Sequence, residues 1–143
     1  MKAWSPLVLG AAVTFVWLGM VIAISFLEAP LKFRAQGVTL QIGLSIGRLV
    51  FRALNIAELI LAVGLACAVV AGMPTTHIII SATVPMVALM VQIGLVRPRL
   101  ARRTDRVLAG EDVPRSTGHY WYVGLEVVKV AALLTTGVLL LTT

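Results

Sequence analysis

The sequence is poor in residues that build catalytic and metal sites: it has one cysteine, two histidines and 13% charged residues. A lone cysteine forms no disulfide within the chain, and Cys67 is expected to be a small buried apolar residue. His77 and His119 are expected on opposite sides of a membrane, so they share no haem iron. Because no metal-ligand spacing, phosphate loop or nucleophile motif is present, we predict no cofactor and no catalytic residue. A membrane enzyme that moves protons through buried charged groups is left open.

Apolar residues are in excess, at 59% of 143 residues, against about 45–50% in an average soluble domain. A chain this short has too little interior to hide that surface from water, so we predict that it lies in lipid. Crossing a bilayer takes about 20 mostly apolar helical residues. Four segments qualify: 6–28, 48–72, 77–96 and 120–141. We predict an all-α integral membrane protein, a four-transmembrane-helix bundle in one domain, with a kink at Pro85.

Basic residues lie between alternate spans. Lys32 and Arg34 follow the first span, and the loop 97–118 carries six arginines, whereas the turn 73–76 and the C-terminus have no charge. Lys and Arg collect in cytoplasmic loops, so we predict an N-out/C-out protein of the bacterial inner membrane. The segment 97–109 should extend the third span as a helix that ends at Gly110, and Ser116 should cap the fourth.

The formal charge of +6 is therefore interpreted as a result of topology. We expect the lipid bilayer as the main partner, with anionic headgroups near the basic loop, and no nucleic acid, since no nucleic-acid-binding module surrounds the arginines. Tyr120, Trp121 and Tyr122 are expected at the inner interface and Trp4 at the outer one. A homodimer through the close spacing of Gly43 and Gly47, or a larger membrane complex, is left open.

Polar residues inside the spans are the main functional signal, because ionisable groups in a membrane are costly and usually face the bundle interior in pairs. The candidate intramembrane site consists of Glu28, Arg48, Arg52, Asn55, Glu58, Gln92, Glu126 and Lys129. Counting residues from the outer ends places Glu58 level with Lys129. It also places Asn55, Gln92 and Glu126 in one layer, and Glu28 beside Arg48 or Arg52.

Two interpretations of these residues stay open. In the first, they line a polar, cytoplasm-facing site that binds or helps move a small solute or ion. In the second, they only fix which helix faces which, as a buried polar residue does in a coiled coil, and the chain is a non-catalytic accessory or scaffold subunit of a larger membrane complex. The number of polar groups in one half of the bundle favours a site, because helix register alone would need fewer.

Two stretches carry a resemblance to known proteins. One is Ser25-Phe-Leu-Glu-Ala-Pro-Leu-Lys-Phe-Arg34 at the exit of the first span. The other runs from Arg97-Pro-Arg99 through the arginine-rich helix to His119 at the entry of the last span. This order resembles small four-helix bacterial membrane proteins of unknown function and the related eukaryotic transmembrane protein 205 group. The resemblance implies a four-helix membrane protein and no catalytic residue. The DoxX-like proteins are similar in length and span count only.

The predicted orientation can be tested by labelling engineered cysteines in a Cys67→Ala background. In intact cells, Thr143→Cys should react with a membrane-impermeant maleimide, because the C-terminus is expected outside. Asp105→Cys should react only after the membrane is opened, since the arginine-rich segment is expected inside. Labelling of Asp105→Cys from outside would contradict the orientation.

Overall fold

The computed structural model describes residues 3–114 and 118–143, and every regular element in them is helical. In chain order these elements are α1 (Pro6–Val21), π1 (Ile22–Glu28), α2 (Ala29–Lys32), α3 (Leu40–Gly72), α4 (Thr76–Val91), π2 (Gln92–Val96), α5 (Arg97–Leu108) and α6 (Gly118–Leu141).

Consecutive elements join into four helices that are long and apolar enough to cross a membrane. They are span 1 (Pro6–Lys32), span 2 (Leu40–Gly72), span 3 (Thr76–Leu108) and span 4 (Gly118–Leu141). The prediction of an all-helical chain with four helices of this kind is confirmed. We call the end that carries Lys32, Arg34 and α5 the basic end of the bundle, and the other the opposite end.

Two helix boundaries differ from the sequence-based ones. Span 2 begins at Leu40 rather than at residue 48, because the side chain of Thr39 caps it by accepting a hydrogen bond from the Ile42 amide at 3.2 Å. The helix of span 1 continues to Lys32 instead of ending at residue 28. The expected extension of span 3 is confirmed, since α5 runs to Leu108 and Gly110 follows with a φ of 88°. Ser116, expected to cap span 4, and Arg115 lie outside the described residues.

The π-helical segments π1 and π2 each precede a proline. In π1 the Ala29 amide donates to the carbonyl of Ile24, and in π2 the Arg97 amide donates to that of Gln92, five residues back in both cases. Pro30 and Pro98 lack the N–H that an α-helix needs, and a widened turn satisfies the backbone in front of each. Helix α4 stays α-helical through Pro85. Span 3 therefore departs from α-helical hydrogen bonding at π2, and the bend at Pro85 stays a prediction.

The spans pack closely in the half of the bundle away from the basic end. There α1 contacts α3 and α6, and α4 contacts α6. Their shared apolar core consists of Ala11, Trp17, Leu18, Val21, Leu65, Ile78, Ala82, Leu89, Leu133 and Leu140. At the basic end, π1 and α2 make at most marginal contact with α5 and α6. Spans 1 and 4 therefore pack tightly in one half of the bundle and diverge in the other.

Close approach at glycine explains two helix contacts. A Cβ added to Gly43 would lie within 3 Å of the Phe33 ring, and one added to Gly47 would lie 2.8 Å from Nζ of Lys32. The small residues that suggested a homodimer thus accommodate side chains from span 1 and its exit within the same chain. A dimer through Gly43 and Gly47 would have to displace Phe33 and Lys32.

One expectation about burial is wrong: Cys67 is exposed on the outside of the bundle and is not buried. Tyr122 is buried inside the bundle, whereas its neighbours Tyr120 and Trp121 are exposed. The reason is helical spacing: Tyr122 lies four residues before Glu126 and belongs to the buried face of α6. The membrane-interface position of all three stays a prediction.

We predict that Gly137→Ala destabilises the protein and Gly124→Ala does not. A Cβ at Gly137 would lie 2.7 Å from the Phe15 ring between α6 and α1, whereas Gly124 on the same helix has nothing within 4 Å. Overpacking costs about 1–3 kcal/mol, while alanine is otherwise favoured over glycine in a helix by about 1 kcal/mol. Thermal unfolding of both variants in detergent measures the difference. Equal melting temperatures would contradict this packing.

Candidate functional site

Six buried polar side chains from all four spans meet near the middle of the bundle. We call them the buried cluster: Trp17, Asn55, Glu58, Gln92, Glu126 and Lys129. Each is at most 8% exposed. Buried polar groups are tolerated when they are hydrogen-bonded, so their partners decide what the cluster does.

Lys129 of span 4 is the centre of the cluster. Its Nζ donates to Oε1 of Glu58 at 2.5 Å and to Oε1 of Gln92 at 2.7 Å, and it lies 2.6 Å from Oε1 of Glu126. The ammonium therefore makes two hydrogen bonds and a close ion pair with a second carboxylate, Glu126. The pairing of Glu58 with Lys129, expected from matched depth, is confirmed.

Glu58 of span 2 connects the cluster to span 1. Its Oε1 also accepts from Nε1 of Trp17 at 2.9 Å. Asn55 reaches Oε2 when its amide is oriented with the nitrogen toward Glu58, at 3.2 Å, and its oxygen then accepts from Nε of Arg97 at 3.3 Å. In the reverse orientation the Asn55 oxygen would face the Glu58 carboxylate and its NH₂ group would face the Arg97 N–H, so neither hydrogen bond could form. Arg97 thereby joins the cluster through Asn55 and adds a second positive charge beside two carboxylates.

Gln92 links span 3 to span 4. As the first residue of π2, it donates from Nε2 to Oε1 of Glu126 at 2.6 Å while its own oxygen accepts from Lys129. The expected contact of Glu126 with Gln92 is confirmed, but the expected contact with Asn55 is wrong. Asn55 turns instead toward Glu58 and Arg97.

The predicted pairing of Glu28 with Arg48 or Arg52 is wrong. Glu28 lies 3.8 Å from Lys32, one turn ahead on the extended span 1. Arg48 lies 2.5 Å from Asp105, which α5 brings beside it. Arg52 is exposed and makes no ion pair within the described part of the chain. Counting residues along the spans gives only the depth of each side chain, so it could not predict that α5 packs against span 2.

A cavity of about 590 Å³ lies between the buried cluster and the basic end. Such a volume is within the range of small-molecule sites. Its apolar wall includes Phe26, Phe33, Phe51 and Leu100. Its charged lining consists of Lys32, Arg48, Arg97, Arg103 and Glu126. Four of these side chains are cationic, but Arg48 is paired with Asp105 and Lys32 lies near Glu28, so the excess of positive charge around the cavity is small.

Three residues of the cavity lining each carry a buried polar atom that has no partner within the described residues. The atoms are Oη of Tyr122, Oε2 of Glu126 and Oγ of Ser25. The only other buried side-chain atom of this kind there is Oε2 of Glu28. A buried donor or acceptor without a partner costs about 1–3 kcal/mol. All three are closed to a water-sized probe, so a ligand in the cavity would reach them only after a neighbouring side chain moves.

The opposite half of the bundle offers no comparable groups. Thr14 and Thr136 are buried there, but their hydroxyls donate to carbonyls of their own helices, Gly10 at 2.7 Å and Ala132 at 2.8 Å. The other side chains around them form the apolar core. Within the described residues, polar groups therefore lead from the buried cluster toward the basic end and not away from it.

Sequence reasoning missed Trp17, Arg97, Tyr122 and Ser25. Trp17 lies in the middle of span 1, away from the interface where tryptophan usually settles, and its N–H needs a partner. Tyr122 shares a helical face with Glu126 and Lys129 at spacings of four and three. These two signals are in the sequence. Nothing in the sequence marks Arg97 apart from its arginine neighbours.

No protein-family model, curated protein or solved structure matches this chain. The resemblance to small four-helix bacterial proteins and to the transmembrane protein 205 group stays a prediction. The functional argument therefore depends on the residues of the chain itself.

We expect Glu58→Gln and Lys129→Met to destabilise the protein by about 3–5 kcal/mol each, because each leaves a buried charge with fewer partners. The double variant should lose less than the sum, since the two groups are in direct contact. Denaturant unfolding in detergent measures all three losses.

The control for this cycle is the exposed pair of Arg106 and Glu111, 2.7 Å apart. Changing both to alanine should have little effect, because exposed ion pairs contribute little. Strictly additive losses at Glu58 and Lys129 would show that the two groups do not interact.

Proposed function

We propose that this chain is a multi-pass protein of the bacterial inner membrane that binds a small polar solute in the cavity at its basic end. The observation that carries the proposal is the cavity of about 590 Å³, whose lining residues Tyr122, Glu126 and Ser25 each hold a buried polar atom without a partner in the described residues. A bundle that needed only a packed interior would gain by replacing them with apolar groups. A ligand with matching hydrogen-bonding groups accounts for keeping them.

The proposed orientation has the basic end in the cytoplasm. Its support is the distribution of charge: Lys32, Arg34 and the arginines of α5 all lie at one end, and positive residues favour the cytoplasmic side. The cavity then faces the cytoplasm and the inner leaflet. Anionic headgroups are the proposed partners of α5 at that surface.

The arrangement favours binding over transfer across the membrane. The polar groups end at the buried cluster, and the opposite half is filled by apolar side chains such as Leu65 and Leu133. Transfer would require a second arrangement of the spans that opens this half. The segments π1 and π2 are where such a change could occur, since π-helical turns often accompany function.

The second candidate is a scaffold or accessory subunit, and the buried cluster by itself favours it. Hydrogen bonds between Trp17, Glu58, Gln92 and Lys129 join all four spans and would hold a rigid bundle against a larger partner. The cavity distinguishes the two candidates, because a scaffold has no use for an open cavity beside unpartnered polar atoms. Variants that remove only those atoms therefore test the choice.

We predict that Tyr122→Phe preserves folding and weakens ligand retention. The variant removes one hydroxyl that has no partner within the described residues, so its ligand-free melting temperature should equal or exceed that of the wild type. A ligand that uses the hydroxyl should bind about tenfold more weakly, as expected for one lost hydrogen bond. Native mass spectrometry of both proteins, purified in parallel in mild detergent, measures the bound small molecules.

Thr135→Val is the matched control, because it also removes one hydroxyl but lies on the exposed face of α6, where the hydroxyl donates to the Ala131 carbonyl of its own helix. It should leave the bound content unchanged. Wild-type protein without any bound molecule, or equal content in Tyr122→Phe and wild type, would overturn solute binding and leave the scaffold function.

A further inference from the structure

We propose that the solute bound in the cavity is a small aromatic acid, a flat ring that carries one ionised carboxylate. This inference rests on the proposed function and names the chemical class of its ligand. The ring contacts the aromatic wall of the cavity, and the carboxylate accepts a hydrogen bond from the ammonium of Lys32. Three features of the lining support this class: its aromatic side chains, the open ammonium and the balance of charge.

Aromatic side chains are concentrated on the cavity. The chain has four phenylalanines and two tyrosines, and five of these six line the cavity: Phe26, Phe33, Phe51, Tyr120 and Tyr122. A membrane interface favours tryptophan and tyrosine, so a position near the interface does not account for the three phenylalanines. Aromatic rings gain from contact with other rings beyond the area that they bury. The wall therefore favours a ligand with a ring.

Phe51 of span 2 is the centre of this aromatic wall. The edge of one ring faces the other between Phe51 and Tyr122, with 5.5 Å between the ring centres, and the ammonium of Lys32 lies 5.5 Å from the centre of the Phe51 ring. The same ammonium lies 5.5 Å from the centre of the Phe33 ring, which packs against Gly43. Spans 1, 2 and 4 thus build one surface of rings around a cation.

The ammonium of Lys32 has N–H groups to spare. The side chain is only 9% exposed, and Oε2 of Glu28 beside it lies 3.8 Å away, beyond hydrogen-bonding distance. Cation–π contacts stabilise the charge but leave its N–H groups without an acceptor. Unlike Oη of Tyr122 and Oε2 of Glu126, the ammonium is not closed to a water-sized probe. A carboxylate in the cavity can therefore contact Lys32.

The charges around the cavity match a ligand with one negative charge. Four cationic side chains line the cavity together with one carboxylate, Glu126. Two further carboxylates, Glu28 and Asp105, lie beside Lys32 and Arg48. The remaining charged residues of the buried cluster form a pair of opposite charge. One positive charge is left in excess, so one carboxylate on the ligand balances it and a second would not be balanced.

One small ligand can reach both the ring of Phe51 and the ammonium of Lys32, because they are 5.5 Å apart. Aromatic rings pair with their centres about 4.5–7 Å apart, and a hydrogen bond from an ammonium to a carboxylate spans about 2.7–2.9 Å. An acid of one or two fused rings covers these distances, and the cavity of about 590 Å³ holds it. An acid without a ring would satisfy Lys32 but gain less from the wall.

The test measures the binding of three matched probes to the full-length protein in phosphatidylcholine nanodiscs. The probes are naphthalene-2-carboxylate, its saturated counterpart decahydronaphthalene-2-carboxylate, and the neutral naphthalene-2-carboxamide. Equilibrium dialysis gives the dissociation constants, with empty nanodiscs as the reference for partition into lipid.

Naphthalene-2-carboxylate should bind about fivefold more tightly than the saturated acid, because only the aromatic acid offers a π face to the wall. It should bind about tenfold more tightly than the amide, because only the acid gives Lys32 a charged acceptor. Equal binding of naphthalene-2-carboxylate and either of the other probes would overturn the proposal.

Two phenylalanines provide matched variants for the ring. Phe51→Leu should reduce the preference for the aromatic over the saturated acid, since one ring contact is lost. Phe15→Leu makes the same change beside the apolar core of the opposite half and should leave the preference unchanged. A full preference in Phe51→Leu would overturn the placement of the ligand and with it the proposal. Melting temperatures of both variants confirm that they are folded.

Two basic residues of the same segment provide matched variants for the carboxylate. Lys32 lines the cavity, whereas Arg34 is exposed and outside the lining. Lys32→Gln should weaken the binding of naphthalene-2-carboxylate about tenfold and leave that of the amide unchanged, because only the acid uses the charge. Arg34→Gln removes the same charge and should leave both unchanged. Equal losses in the two variants would show non-specific attraction to the basic end and overturn the proposal.

The failure of this inference and that of the proposed function are distinguishable. A molecule that co-purifies with the protein and depends on Tyr122, without a preference for naphthalene-2-carboxylate among the probes, would overturn the aromatic acid and leave solute binding intact. A protein that retains no molecule and binds none of the three probes would overturn both.

Discussion

The buried ammonium of Lys129 is the interaction on which the rest of the bundle depends. It donates hydrogen bonds to Glu58 of span 2 and Gln92 of span 3 and forms an ion pair with Glu126 of its own span. Trp17 adds span 1 through Glu58. A charge at this depth is tolerated only when its partners are complete, so the position of every span is tied to one side chain.

The need of buried charges for partners also explains why the cavity lies at the basic end. The carboxylates of Glu58 and Glu126 outnumber the single ammonium, and Arg97, linked through Asn55, supplies further positive charge from the basic end. Prolines at 30 and 98 widen the preceding turns, and these turns carry Ser25 to the cavity and Gln92 to the cluster. Tight packing in the opposite half leaves the spans free to diverge only at the basic end, where Tyr122 and Glu126 line the open space and keep their unpartnered oxygens buried beside it.

The sequence was sufficient to predict the helices and those contacts that depend only on depth along straight helices. Composition and span length predict the four helices, and residue counting along them finds Glu58 with Lys129 and Gln92 with Glu126. The same counting failed for Glu28 and Arg48, because span 1 extends to Lys32 and α5 folds Asp105 against Arg48. Counting residues gives depth but not which face of a helix is buried. Arg52 is only four residues from Arg48 but is exposed, and Tyr122 is buried although both of its neighbours are exposed. The cavity depends on how the spans diverge, and no local pattern in the sequence encodes that.

The central claim is that the cavity at the basic end holds a ligand on groups that the protein itself leaves unpartnered. An experimentally determined structure of the protein in nanodiscs, prepared with the lipids and solutes of its own membrane, tests this most directly. The account predicts non-protein density within hydrogen-bonding distance of both Tyr122 Oη and Glu126 Oε2. A closed cavity, in which these two atoms bond to each other or to other protein groups, would contradict it.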